Sequence, residues 1–291
     1  MTNPDFKAND RDSPSEKRSL SAEQPGAPFP RVSYEKPVNQ AGEATRPQRH
    51  GDNAQGARLL VAICTFNERE NLPELTERII AALPHADLLV IDDNSPDGTG
   101  QWALAQAVND DRFKVIIREE ERGLGGAIRR ALQFAVDQDY DLLVNLDGDL
   151  SHEPEVLPSM VSLITGDPAI DVVVGSRYCP GGSVRGWPLR RKVMSRLVNR
   201  FATSVLRLPV SDCSGSLRCY RVNVIRKIAP ETLQSEGYAI LEEILLRLRA
   251  VRAKMVEVPI VFNDRTRGQS KLTAGETLRS ARQLIRMALA K

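Results

Sequence analysis

From Leu59 onward, short apolar runs alternate with segments of helical period. The runs at 59–63, 88–91, 113–117, 142–146 and 172–174 have the length and the β-branched content of buried strands. Between them, 72–83, 99–108, 124–138 and 155–164 repeat apolar residues every three or four positions, the period of a helix with one buried face. Asn71, with Glu74 three residues on, reads as a capping pair at the start of the first helix. Strand–helix alternation of this regularity predicts an α/β protein: a Rossmann-like, mainly parallel sheet with helices on both faces. Ligands of such sheets sit outside the carboxyl ends of the strands.

Two further stretches are amphipathic. Within 187–208, Met194, Leu197, Val198, Phe201 and Val205 share one face, opposite Lys192, Arg196, Arg200 and Arg207. Within 277–290, Leu278, Leu284, Ile285 and Ala288 stand against Arg279, Arg282 and Arg286. Such helices either pack on a sheet with a solvated basic side or lie in a membrane interface. Residues 1–57 are rich in Pro, Gly, Asn, Gln and mixed charge, too poor in apolar surface to offset the entropy of ordering. They read as a disordered tail, without the apolar core of a signal peptide. The expected organisation is therefore a tail at 1–57, a folded α/β domain at 58–272 and a C-terminal amphipathic helix at 273–291. No window of about 18 apolar residues is present, so no transmembrane helix is expected.

Chemistry gathers where strands end. The loops after the first, second and fourth runs contain Glu68 and Glu70, then Asp92, Asp93 and Asp97, then Asp147 and Asp149. Each alone fits ordinary turn chemistry. Three on one sheet edge make an acidic pocket. Asp147 and Asp149 share a face if the strand continues through them, and two close carboxylates repel unless a cation lies between them. Oxygen donors suit Mg²⁺ or Mn²⁺. The glycines at 123, 125 and 126 lack the spacing of a dinucleotide fingerprint, which disfavours an NAD-dependent dehydrogenase; close packing or a helix-start turn accounts for them better.

The chain has 291 residues, 41% apolar and 27% charged, with net charge +2, and so offers no bulk electrostatic signal for nucleic acid. Its four cysteines lack Cys-x-x-Cys spacing and it has three histidines. A disulfide framework or structural zinc site is not expected, and a reducing cytosol fits.

Taken in order, the motifs resemble a known family. Val61-Ala62-Ile63-Cys64-Thr65-Phe66-Asn67-Glu68 and Ile91-Asp92-Asp93-Asn94-Ser95-Pro96-Asp97-Gly98 resemble the signatures of inverting family 2 glycosyltransferases. Gly123-Leu124-Gly125, Asp147-Gly148-Asp149-Leu150-Ser151-His152, Gly175-Ser176-Arg177-Tyr178, Asp212-Cys213-Ser214-Gly215-Ser216-Leu217-Arg218, Gly237-Tyr238, Glu257-Val258-Pro259-Ile260 and Arg265-x-x-Gly268-x-Ser270-Lys271 are similar to dolichyl- and polyprenyl-phosphate mannose synthases. Cys64 stands where proline is frequent in that family, and Phe66 where tyrosine is.

The resemblance implies a GT-A fold that moves mannose from GDP-mannose to dolichyl or polyprenyl phosphate with inversion, aided by Mg²⁺ or Mn²⁺. It implies that Cys64, Phe66, Glu68, Ile91 and Asp93 line the nucleotide. Asp147, Gly148 and Asp149 would form the metal and diphosphate motif, with Ser151 beside the metal. Arg177, Arg265 and Lys271 would face phosphates, and Glu243 would lie near the active site, ahead of its neighbour Glu242. Asp149, Arg265, Lys271 and Glu243 are thus the candidate catalytic residues. A lipid acceptor implies an enzyme in the cytoplasm held peripherally at the membrane, and leaves open a small membrane subunit as partner. Two alternatives stay open: a UDP-glucose-dependent enzyme of the same fold, and a non-catalytic scaffold for sugar nucleotides or lipid phosphates.

Overall fold

The computed structural model describes residues 56–120 and 122–264. The predicted tail, the C-terminal amphipathic helix, Arg265 and Lys271 lie outside the described residues. In chain order the elements are β1 (Leu59–Thr65), α1 (Leu72–Ala82), β2 (Asp87–Asp92), α2 (Thr99–Asn109), β3 (Phe113–Ile117), α3 (Leu124–Asp137), β4 (Leu142–Asp147), α4 (Leu157–Gly166), β5 (Val172–Ser176), β6 (Ser183–Arg185), α5 (Leu189–Val205), β7 (Arg218–Arg221), α6 (Val222–Lys227), α7 (Ala239–Ala250), β8 (Met255–Pro259) and β9 (Val261–Asn263). Every predicted strand and helix within these bounds is present, displaced by a residue or two at its ends.

The main sheet has seven strands in the order β3-β2-β1-β4-β7-β5-β8. All run parallel except β7, which pairs antiparallel with both β4 and β5. A separate parallel pair joins β6 to β9. Alternation along the strands divides the core into two layers. Val61, Ile63, Val90, Val144 and Leu146 face α1, α2 and α4, whereas Leu60, Ala62, Ile91, Leu143 and Val174 face α3, α6 and α7. Strand order reverses between β1 and β4, the place where doubly wound sheets open a crevice at their carboxyl ends.

Asn71 holds the predicted cap position of α1, but its side chain caps no amide. It lies in helical backbone, and its Nδ2 donates to Glu68 Oε2 at 2.7 Å rather than its oxygen accepting an amide of α1. Pro73 in the first turn starts the helix by its fixed φ. Helix α5 also departs from a sheet-packed helix. Only Asn199 and Ala202 of it are buried, while its apolar stripe, including Leu197 (57% exposed) and Phe201 (68%), faces outward. Among the described residues no helix is long and apolar enough to cross a membrane.

Candidate active site

Register places the candidate residues side by side at the crevice. Cys64 is the Cα partner of Asp147 on one side and of Ile91 on the other. The Asp93 amide donates to Thr65 O at 3.1 Å, which carries the second acidic loop across to the first. Asp93 itself accepts from the Gly123 amide at 2.6 Å and from Arg118 Nη1 at 2.7 Å. Burial pushes the Asp93 carboxyl above its ordinary range, and the Gly123 amide and Arg118 oppose that push only in part. Asp93 thereby pins the start of α3 against β2. Gly125 meets the prediction of close packing: a Cβ there would lie 2.7 Å from Ser235 O.

The strand ends at Asp147, so the alternation invoked for Asp149 does not extend that far. Gly148 lets the chain pass β1 closely, since a Cβ on it would lie 3.0 Å from Thr65 Cγ2 and 3.3 Å from Glu68 Cγ. Leu150 then takes a left-handed φ of 60°, and Asp149 Oδ1 accepts the Ser151 amide at 3.0 Å. Asp149 and Ser151 are buried, and the Ser151 hydroxyl has no hydrogen-bond partner there. Both aspartates act electrostatically on His152, whose pKa is nonetheless lowered because burial dominates. Burial, followed by Asp147 and Asp93, pushes the Cys64 thiol up, so the thiol stays protonated.

Two carboxylates and a partnerless buried hydroxyl are hard donors that fit Mg²⁺ or Mn²⁺. Among the described residues no cluster of three or more His, Cys, Asp or Glu side chains is gathered to hold an ion alone. A cation at Asp147 and Asp149 would fill its other positions with water and substrate phosphate, the usual habit of Mg²⁺.

The motif loop is stitched to β9. The Asn263 amide donates to Ser151 O at 2.9 Å, His152 bridges to Phe262, and Asn263 Nδ2 donates to Glu153 Oε1 at 3.1 Å. The basic sequence Arg265-x-x-Gly268-x-Ser270-Lys271 thus begins two residues after a residue bonded to the aspartate motif.

Arg177 is buried against Asp212, an arrangement not anticipated from sequence. Its Nε and Nη2 each donate to an Asp212 oxygen at 2.7 Å, and its backbone amide donates to the same carboxylate at 3.0 Å. Burial raises the cost of ionising Asp212, but the charge and hydrogen bonds of Arg177 outweigh it and hold the carboxyl below the usual range. Asp147 lies within electrostatic reach of the same guanidinium. Arg177 also lines a cavity of about 250 Å³ with Tyr178, Lys192, Arg196, Leu189 and Leu197. The cavity therefore joins three cations to apolar side chains under α5.

One expectation needs correction. Ile91 cannot line a ligand with its side chain, which is wholly buried under α3. Asp212 occupies one edge of the Arg177 guanidinium. Glu243 is a buried residue of α7. Its carboxylate takes the amides of Gln234 and Ser235, at 3.1 and 2.7 Å, and so holds the loop that packs on Gly125. Neighbours on a helix point about 100° apart, so Glu242 is the one directed toward Arg218, Asp212 and Arg177. Glu68 is buried and tied to Asn71, while Phe66 is half-buried at the end of β1. Sequence reasoning gave no role to Arg118, Asp212 or Asn199; the cues were the family motif that opens on Asp212, a charged residue just after a strand for Arg118 and a polar residue inside the basic helix for Asn199.

The family model described as glycosyl transferase family 2 matches residues 60–229. The chain belongs to glycosyl transferase family 2. This glycosyltransferase is 38% identical to the undecaprenyl-phosphate mannosyltransferase of Micrococcus luteus over 75% of its own length and 88% of the relative's. It is 40% identical to the polyprenol monophosphomannose synthase of Mycolicibacterium smegmatis, over 77% of its own length and 84% of the relative's. Among solved structures, it resembles glucosyl-3-phosphoglycerate synthase from Mycobacterium tuberculosis in complex with Mn²⁺, UDP and glucosyl-3-phosphoglycerate. The TM-score is 0.60 at 18% identity, covering 81% of this chain and 80% of the other, a likeness of fold. The glycosyltransferase is thus an α/β protein, as the strand pattern predicted, and of the GT-A type, as the family resemblance implied.

Proposed function

We propose that this glycosyltransferase transfers mannose from GDP-mannose to a polyprenyl or dolichyl phosphate with inversion. The observation that carries the reading is the meeting of two features: the Asp147/Asp149 loop lies within electrostatic reach of Arg177, and Arg177 lines a cavity that is both cationic and apolar. A lipid phosphate is an anion on an apolar chain, and the cavity matches both parts. The names of the two relatives, which cover the domain almost end to end, point to the same acceptor class.

A phosphate monoester with a second pKa of about 6 is largely a dianion at neutral pH. Its oxygen forms a bond to the anomeric carbon as the bond to the diphosphate breaks and the electron pair leaves with GDP. No proton moves, so no general base is required of His50, His85 or His152. Asp147, Asp149 and Ser151 would hold a divalent ion, which when bound neutralises charge gathering on the departing diphosphate. Arg177 would orient the acceptor phosphate, and Arg265 and Lys271 would add fixed positive charge near both phosphates. The outward apolar stripe and basic flanks of α5 would seat the enzyme peripherally on an anionic cytoplasmic membrane surface.

The test uses purified protein, a short-chain polyprenyl phosphate, and radiolabelled GDP-mannose or UDP-glucose, with and without chelator. Mannosyl-lipid is expected, lost on chelation and restored by Mg²⁺ or Mn²⁺. Robust glucose transfer without mannose transfer would replace the donor assignment, and full activity after chelation would overturn the metal's role.

A further inference from the structure

Helix α5 is attached to the protein through few buried side chains, and its polar attachments converge on the segment that carries Arg177. Ser195 Oγ lies 2.7 Å from the Tyr178 hydroxyl. Asn199 Oδ1 accepts from the Cys213 amide at 3.1 Å and from the Ser214 hydroxyl at 3.4 Å, while its Nδ2 donates to Ser211 O. These bonds bracket Asp212. The Asp212 carboxylate then takes the Arg177 amide, Nε and Nη2, and also the Gly215 amide at 3.0 Å. Arg177 Nη2 donates in addition to Ser214 Oγ at 2.8 Å. The guanidinium lies over the rings of Tyr178 and Phe262, 5.1 and 5.4 Å from their centroids. One edge of the arginine is thus consumed by Asp212 and Ser214, and Nη1 is the donor left for the cavity.

We propose that Asp212 and Asn199 are positioning residues that hold the remaining edge of Arg177 at a fixed height beneath the lipid-facing helix. The proposal rests on the reading of Arg177 as the contact for the acceptor phosphate. Its physical reason is depth. A lipid phosphate sits at a level set by the bilayer, and α5 is the element whose apolar stripe faces outward. An arginine tethered to α5 through Asn199 and Asp212 meets the phosphate at that level without first losing side-chain freedom. An untethered one would pay that entropy on every binding event.

The experiment compares Arg177→Ala, Asp212→Asn, Asn199→Ala and the double variant Arg177→Ala/Asp212→Asn. It measures KM for short-chain polyprenyl phosphate and for GDP-mannose separately, GDP binding by calorimetry, and the melting temperature. Asp212→Asn and Asn199→Ala are expected to raise the acceptor KM about tenfold while donor KM and GDP affinity stay within twofold. In the Arg177→Ala background, Asp212→Asn is expected to add nothing, because coupled residues are non-additive. Equal shifts in both KM values, or an effect of Asp212→Asn that multiplies with that of Arg177→Ala, would overturn the proposal. If Arg177→Ala alone leaves the acceptor KM unchanged, the assignment of Arg177 fails instead. Should Asp212→Asn not fold, Ser214→Ala removes one bond to Arg177 and is expected to shift the acceptor KM in the same direction by a smaller factor; an unchanged KM would count against the tether.

Discussion

Glu242 is a carboxylic acid sealed inside the protein near Arg218, with no hydrogen bond to one of its oxygens. Burial pushes its pKa from 4.5 to about 7, and Arg218 recovers only part of the difference. Between those two values the folded state keeps a proton that the unfolded chain has released. Stability therefore falls as pH rises from about 4.5 to about 7 and is flat with respect to this group above that. Glu242→Gln removes the dependence: its melting temperature relative to the parent is expected to climb across that window and level off, and a constant difference by calorimetry would contradict this. Asp149→Asn is expected to lower kcat by about 10²–10³ without lowering the melting temperature. Retained turnover would remove Asp149 from the catalytic set. At this scale the acidic loops were legible, because a carboxylate pair after an apolar run is a local pattern. Which of Glu242 and Glu243 faces Arg218 was not, because it depends on how α7 is rotated against the sheet, which its own sequence leaves unspecified.

At the level of elements, the amphipathic pattern of α5 was visible in sequence, but its orientation was not. Apolar residues at helical spacing normally face a core. Here the buried positions are Asn199 and Ala202, and the apolar stripe points outward. Leu197→Glu with Phe201→Glu is expected to abolish cosedimentation with phosphatidylglycerol vesicles while changing stability by less than about 0.5 kcal/mol, as for other exposed sites. Loss of the fold, or undiminished vesicle binding, would refute the assignment of this face. The start of α3 gives a second case. The glycines there were expected to serve packing, and the contact that demands one, the 235–237 backbone resting on Gly125, involves residues more than a hundred positions away. Gly125→Ala must displace backbone rather than a mobile side chain. It is expected to cost about 1–3 kcal/mol by denaturant unfolding; an unchanged midpoint would show that the loop yields freely.

Across the whole molecule, the order of strands and helices was legible because each element carries its own period, and it pointed to the carboxyl ends of the strands; the crevice between β1 and β4 follows from the order in which the folded strands pair. Pairings made by short, irregular strands were not. Nothing in Arg218–Arg221 announces a strand, yet β7 occupies the centre of one half of the sheet. The aspartate loop and β9 are similarly joined by Ser151 and Asn263, and only the folded chain reveals the join.

The position of β7 has a consequence for biosynthesis. β4 and β5 leave the ribosome well before Arg218, so each waits with an unpaired border on the side that β7 will later fill. Such borders invite mispairing with other chains. A nascent chain stalled between Ser176 and Arg218 would hold the β3-β2-β1-β4 half of the sheet with an open edge at β4, and β5 with neither of its partners β7 and β8. Ribosome-bound intermediates of that length are where trigger-factor-like chaperones would find the most to protect.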